Sequence, residues 1–145
     1  MTPPPYVIML AIQQANQSPC RSKRGVIIFN ANARPDVEVI ANGFNFKPRG
    51  FECDGSAECK LTCRFEAVHA EQVALLAAGP RADGAEMVHV KTVGGLAVAS
   101  EGPSCVQCSK LALVAGIAGV WLLLKDGWRR YDAVEFHAMA LEASR

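Results

Sequence analysis

His69-Ala70-Glu71 and Cys105-Val106-Gln107-Cys108 each open a stretch of helical periodicity, with a strand and a turn between them, so the fold has to bring two helix starts together. The residue types give the reason. One imidazole and two thiolates form a three-ligand set for a tetrahedral zinc, leaving the fourth position to water, as in catalytic rather than structural sites. Such an ion lowers the pKa of its water to about 7, so hydroxide is present at neutral pH. Helix N-termini favour thiolate over thiol through the macrodipole and their free N–H groups. Glu71 follows His69 by two residues, close enough to approach that water without entering the coordination shell and to shuttle its protons. A Cys-x-x-Cys pair alone also occurs in structural zinc sites and redox motifs. The His-x-Glu partner is what selects the catalytic reading over a structural metal or buried cysteines.

The chain of 145 residues suits one domain, residues 1–145, long enough to bury a core. Fifteen basic against fourteen acidic side chains leave a net charge of +1, which provides no broad positive field for a polyanion. A small-molecule substrate is favoured, although Arg21, Lys23 and Arg24 beside Lys47 and Arg49 form one candidate basic patch. The longest apolar run, residues 111–124, is shorter than the roughly 20 residues needed to cross a bilayer, so no membrane partner is expected. Pro3, Pro4 and Pro5 stand where a signal peptide would carry basic and then apolar residues, so a cytoplasmic protein is expected. In that compartment six cysteines read as thiolates for metal binding or catalysis rather than as a disulfide scaffold.

Periodicity predicts a helix over residues 6–17, strands over 25–29 and 37–42 joined by a turn at 30–36, and an irregular loop over 43–62 that needs something to pin it. A helix over 66–78 ends at Gly79-Pro80, and a strand over 86–93 turns at Gly94-Gly95 into a short hairpin extension. A helix over 105–115, a strand over 119–124 and a last helix over 132–143, with Ala133, Phe136, Ala140 and Leu141 on its buried side, complete the pattern. This order implies an α/β layer structure with crossover helices packed on a mixed sheet.

At its metal motifs the chain resembles the cytidine and deoxycytidylate deaminase superfamily, over residues 5–124. That superfamily carries histidine, one residue and glutamate, then proline, cysteine, two residues and cysteine. Here Pro103-Ser104-Cys105 sets the proline one residue early, so the turn into the helix differs. Asn42-Gly43-Phe44-Asn45, followed by Pro48, Gly50 and Cys53, looks like the glycine-tyrosine-asparagine segment of deoxycytidylate deaminases, with Phe44 in the place of tyrosine and left to packing.

The resemblance implies a three-layer α/β/α fold with a mixed central sheet and a homo-oligomer of the kind usual in the superfamily. It implies zinc-dependent hydrolytic deamination of a cytosine-bearing, dCMP-like nucleotide or nucleoside to the uracil product and ammonia. Zinc would sit on His69, Cys105 and Cys108, and Glu71 would be acid and base. An N–H near Ala70 would touch the ring carbonyl or the water, and Asn45 would bond the sugar. Lys23 or Arg24 would contact a phosphate, unless that segment is a solvated basic turn. Some deoxycytidylate deaminases carry a second, structural zinc, which here would draw on Cys20, Cys53, Cys59 and Cys63. A disulfide, plain packed cysteines, or fewer ligands with Cys20 left out remain open.

His89 and His137 read as core or surface residues rather than ligands, and Trp121 as core. Trp128 and Tyr131 fall in the expected turn after the last strand, where they would close over a base by stacking. Trp128-Arg129-Arg130-Tyr131 is also the best argument for single-stranded nucleic acid. Two rival functions follow. One is deamination of a base within a single strand, which the near-zero net charge opposes. The other is a non-catalytic, zinc-stabilised interaction module, which an intact Glu71 opposes.

Overall fold

Val26, Ile27, Ile28 and Phe29 put apolar side chains on both sides of one strand, so that strand needs cover on both faces. The computed structural model, which describes residues 1–33 and 36–145 and only the backbone of residues 60 and 64, supplies that cover. The strand is β1 (Lys23–Asn30), and it lies inside a six-stranded sheet of order β2-β1-β3-β5-β6. The others are β2 (Glu38–Phe44), β3 (Glu86–Val93), β4 (Leu96–Val98), β5 (Gly119–Leu124) and β6 (Gly127–Asp132). β3 and β5 pair in parallel, β4 extends β3 as a hairpin, and the other pairings are antiparallel. A parallel pair requires a crossover, which α4 (Val106–Val114) provides.

The helix α1 (Pro5–Gln17) seals one face, packing Val7, Ala11 and Ala15 on Ile27, Phe29, Val88 and Val90. Gly25 permits this contact, since a Cβ there would strike the Ala11 and Ala15 backbone. The opposite face of Val26, Ile28, Met87, Val120 and Leu122 takes α3 (Ala70–Ala78), α4 and α5 (Ala133–Ala143). The expected α/β/α layers with a mixed sheet are therefore observed. Gly43 lets α3 lie directly on β2, because a Cβ would come within 2.6 Å of the Ala70 carbonyl oxygen and 2.8 Å of the Ala74 nitrogen. That close approach sets the height of the α3 N-terminus above the sheet.

Three expectations need correction. The loop expected over 43–62 contains the end of β2 and the start of a helix, α2 (Ala57–Glu66), capped by Ser56, whose hydroxyl accepts from the Cys59 N–H at 3.0 Å. Its sequence has few apolar residues because the helix hardly enters the core. The helix expected over 66–78 is broken at its start, where Val68 bridges to Phe46 through hydrogen bonds of 2.7 and 3.2 Å. The chain is extended at His69 and turns helical only at Ala70. Residues 127–132 are a strand, β6, rather than a turn, paired along β5. The turn expected over 30–36 falls partly outside the described residues, at positions 34 and 35. No helix among the described residues is long and apolar enough to cross a membrane.

β6 is also fastened across the sheet. Arg130 reaches over Gly119 of β5 and donates to both carboxylate oxygens of Glu86 on β3, at 2.7 and 2.8 Å. Trp121 Nε1 donates to the same carboxylate at 3.0 Å, and Trp121 lies in the core as expected.

Candidate metal centre and its pocket

Both metal motifs lie at helix entrances. His69 is the N-cap of α3, held extended by the Phe46–Val68 bridge, and its N–H donates to the Gln72 side chain at 2.9 Å. Cys105 is the N-cap of α4, its sulfur accepting from the Cys108 N–H at 3.5 Å. His69 Nδ1 stands 3.1 Å from Cys108 Sγ and 3.4 Å from Cys105 Sγ, and the two sulfurs are 3.3 Å apart. Zinc bonds of about 2.0–2.3 Å give tetrahedral edges of roughly 3.3–3.8 Å, so the triangle is near the size a zinc ion takes. The soft nitrogen and sulfur donors suit that metal.

The electrostatics favour a thiolate at Cys105. Hydrogen bonds from the Cys108 thiol and from His69 pull Cys105 down to about 4, giving a thiolate. The Cys105 sulfur and burial push Cys108 up, and the same Cys105 sulfur raises His69.

A cavity of about 520 Å³ opens beside the triangle, within the range of small-ligand sites. His69, Ala70, Glu71 and Cys105 form part of its wall. Glu71, in the first turn of α3, is only 4% exposed. Burial pushes its carboxyl up, but His89, the Glu71 backbone N–H, the Ser104 hydroxyl and His69 together bring it below the usual carboxylate value.

The opposite wall is polar. Asn45 is buried; its Oδ1 accepts from the Arg24 N–H at 2.9 Å and its Nδ2 donates to the Ser22 carbonyl at 2.6 Å. An amide has two hydrogens and two lone pairs, so one of each stays available toward the cavity it lines. Arg21 and Arg24 line the cavity as well. Lys23 does not, because its ammonium donates to the Ser18 carbonyl. Of the two basic residues expected at a phosphate, the structure brings only Arg24 to the pocket, and it adds Arg21.

Trp128 and Tyr131 are a further correction, because neither borders the cavity. They sit on β6 and point to opposite faces of the sheet. Trp128 packs against the α1-side core, and Tyr131, 4% exposed, packs its ring 5.8 Å from that of Phe136. Neither side chain can close over a base from there. His137 is hydrogen-bonded to the Ser109 hydroxyl at 2.8 Å, between α5 and α4.

His89 was read as core or surface, and the structure puts it in the cavity wall. It is 6% exposed, and its Nε2 is 3.8 Å from Glu71 Oε1. Alternation along β3 carried the signal, since position 89 shares the face of Met87, the face covered by the helix that bears Glu71. Arg21 and Ser22 fall in the basic segment singled out in the sequence, whereas Ser104 had no such signal.

The remaining cysteines do gather. Cys20, Cys53 and Cys63 have sulfurs within 4.8 Å of one another, Cys20 and Cys53 being 3.8 Å apart, the edge length of a tetrahedral thiolate site. That separation is far beyond the roughly 2.05 Å of a disulfide. Cys59 lies outside the group of three, its sulfur accepting from the buried Lys47 ammonium at 3.3 Å. Cys20 therefore belongs to the group, and Cys59 adjoins it through a hydrogen bond with Cys53. Lys47 also donates to the Thr62 hydroxyl at 3.1 Å and pairs with Glu66 at 3.4 Å, which ties α2 to the strand edge.

No protein-family model and no curated protein matches the sequence. Solved structures do. The chain is similar to the crystal structure of dCMP deaminase from the cyanophage S-TIM5 in complex with dCMP and dUMP, at 22% identity, covering 81% of each chain with a TM-score of 0.51. It is also similar to Acinetobacter baumannii RibD, at 19% identity and TM-score 0.46 for form 2, and 20% and 0.44 for form 1, covering 79% of this chain and 26% of that one. The phage deaminase and this chain share one fold, the helix-covered mixed sheet that the resemblance implied.

Proposed function

We propose that the chain is a zinc-dependent deaminase that hydrolyses the exocyclic amine of a cytosine-bearing nucleotide or nucleoside. The observation that carries this reading is the triangle of His69 Nδ1, Cys105 Sγ and Cys108 Sγ, with edges of 3.1–3.4 Å, sharing one cavity with the buried Glu71 carboxylate. Zinc held by those three atoms would supply an acidified water at neutral pH.

Glu71 takes a proton from the attacking water and places it on the ring nitrogen beside the amine-bearing carbon. It then carries the water's second proton to the departing amine, so the carbon–nitrogen bond breaks, a carbonyl remains and ammonia leaves. The Ser104 hydroxyl and the α3 N-terminus help keep the carboxylate ionised between these transfers. Asn45, through its spare N–H, contacts the sugar, and the Ala70 N–H faces the ring carbonyl or the water. Arg24 contacts a phosphate. The dCMP and dUMP bound to the similar phage enzyme support a nucleotide as ligand. Cys20, Cys53 and Cys63, with Cys59 as the fourth thiolate, would hold a second, structural zinc.

Ultraviolet assays over cytidine, deoxycytidine, their monophosphates, adenosine, guanine and a cytosine-containing single strand test the reading. Turnover of dCMP above the free nucleosides and the strand is expected. Zinc-loaded protein inert toward every compound would remove it, and preference for the strand would replace it with the nucleic-acid alternative.

A further inference from the structure

His89 stands on β3 where the strand pattern calls for an apolar core residue, in line with Met87 on the face beneath α3. Its ring is buried, and neither nitrogen has a hydrogen-bond partner among the described residues. Buried polar atoms in native proteins are nearly always paired, so an imidazole orphaned at both nitrogens needs a reason. The acceptor that its Nε2 faces is Glu71 Oε1, at 3.8 Å, and both side chains are almost fully enclosed, at 8% and 5% exposure. Closing that gap by about 0.9 Å makes an ordinary N–H···O bond. Hydrogen bonds of catalytic groups are often long before substrate binds and tighten in the complex.

Resting on the deaminase reading, we infer that His89 is a positioning residue for Glu71: its Nε2–H takes hold of Oε1 and fixes the carboxylate's rotamer. A neutral imidazole has one donor and one acceptor, and a carboxylate only accepts, so the pairing assigns the proton to Nε2. Burial pushes the His89 imidazole down from its ordinary value, with the Glu71 carboxylate opposing that shift. With one oxygen held, the other is left to carry protons between water, ring and amine.

The test compares zinc-loaded His89→Phe, His89→Asn and His89→Gln with the parent protein. Phenylalanine keeps a ring but no N–H. Glutamine carries an amide nitrogen about as far from the backbone as Nε2, and asparagine carries one only as far as Nδ1. His89→Phe and His89→Asn are expected to lower kcat by about 10–100-fold, as loss of a supporting hydrogen bond does, with KM within about twofold and zinc content unchanged. His89→Gln should recover most of the loss. Parental kcat in His89→Phe, or His89→Gln no better than His89→Phe, would overturn the inference.

A second readout needs no turnover. ¹⁵N-histidine NMR of the zinc-loaded protein should show His89 as the Nε2–H tautomer, with a signal that moves in Glu71→Ala. The Nδ1–H tautomer, or a signal indifferent to Glu71→Ala, would overturn the inference even if the deaminase reading stands. If the protein deaminates nothing, that reading falls while the NMR result still decides the contact.

Discussion

Two sulfur-bearing clusters lie in this molecule, and they are held in place by different means. The triangle of His69, Cys105 and Cys108 rests on two helix starts whose positions follow from sheet packing, with Gly43 setting how closely α3 approaches β2. The group of Cys20, Cys53 and Cys63 rests on the segment after α1, on a turn-rich stretch and on α2, a helix with hardly any core of its own. The first is a site that the fold makes. The second is a set of ligands that would make the fold locally, as structural zinc does.

The comparison breaks most readily at Glu71. Glu71→Gln should cut kcat by about 10³-fold while zinc content and melting temperature stay near the parent values, since in the proposed reaction the carboxylate moves protons and holds no metal. Comparable loss of zinc would show that Glu71 belongs to the coordination shell instead.

Cys63→Ser probes the other cluster, with effects on stability rather than chemistry. Zinc per chain is expected to fall from two to one, and the melting temperature to drop by several degrees, at about 2–4 °C for each kcal/mol lost in a domain near this size. Turnover per remaining zinc should fall far less than in Glu71→Gln. A parent protein holding a single zinc would reduce the cluster to packed thiols.

The smallest effect sharpens the link between packing and site. Gly43→Ala presses on the Ala70 and Ala74 backbone and should cost about 1–3 kcal/mol of stability, together with a measurable fall in kcat as His69 and Glu71 shift. Gly50→Ala, in open space but at φ 91°, should cost about 1–2 kcal/mol through backbone strain and leave kcat alone. Equal effects on kcat from the two variants would separate the site from the α3–β2 contact.

The same division explains what could be read from the residues. β5 was legible to its end residues, because residues 119–124 are an apolar run entered by glycine and left by a polar turn. The gathering of His69, Cys105 and Cys108 was legible because one imidazole, one carboxylate and two thiols at that spacing have few other uses. Helix α2 was not, since it answers to a Ser56 cap, Lys47 and its cysteines rather than to a buried stripe. The break before His69 was hidden for a related reason: it depends on Phe46, a partner more than twenty positions away that no local window contains. β6 was missed because its exposed arginines mask the alternation of an edge strand, and Trp128 and Tyr131 were misassigned with it.

The reach of Arg130 across Gly119 to Glu86 bears on the rival ligand. Aromatic rings flanked by guanidiniums look, in one dimension, like a landing strip for a polynucleotide. In three dimensions the strip is dismantled: one arginine is clasped by an interior acid, one ring is sunk beneath α5, and the other leans toward α1. A phosphate chain arriving there would meet Arg129, stacked 4.9 Å above Tyr131, and an Arg130 whose guanidinium is already committed to Glu86.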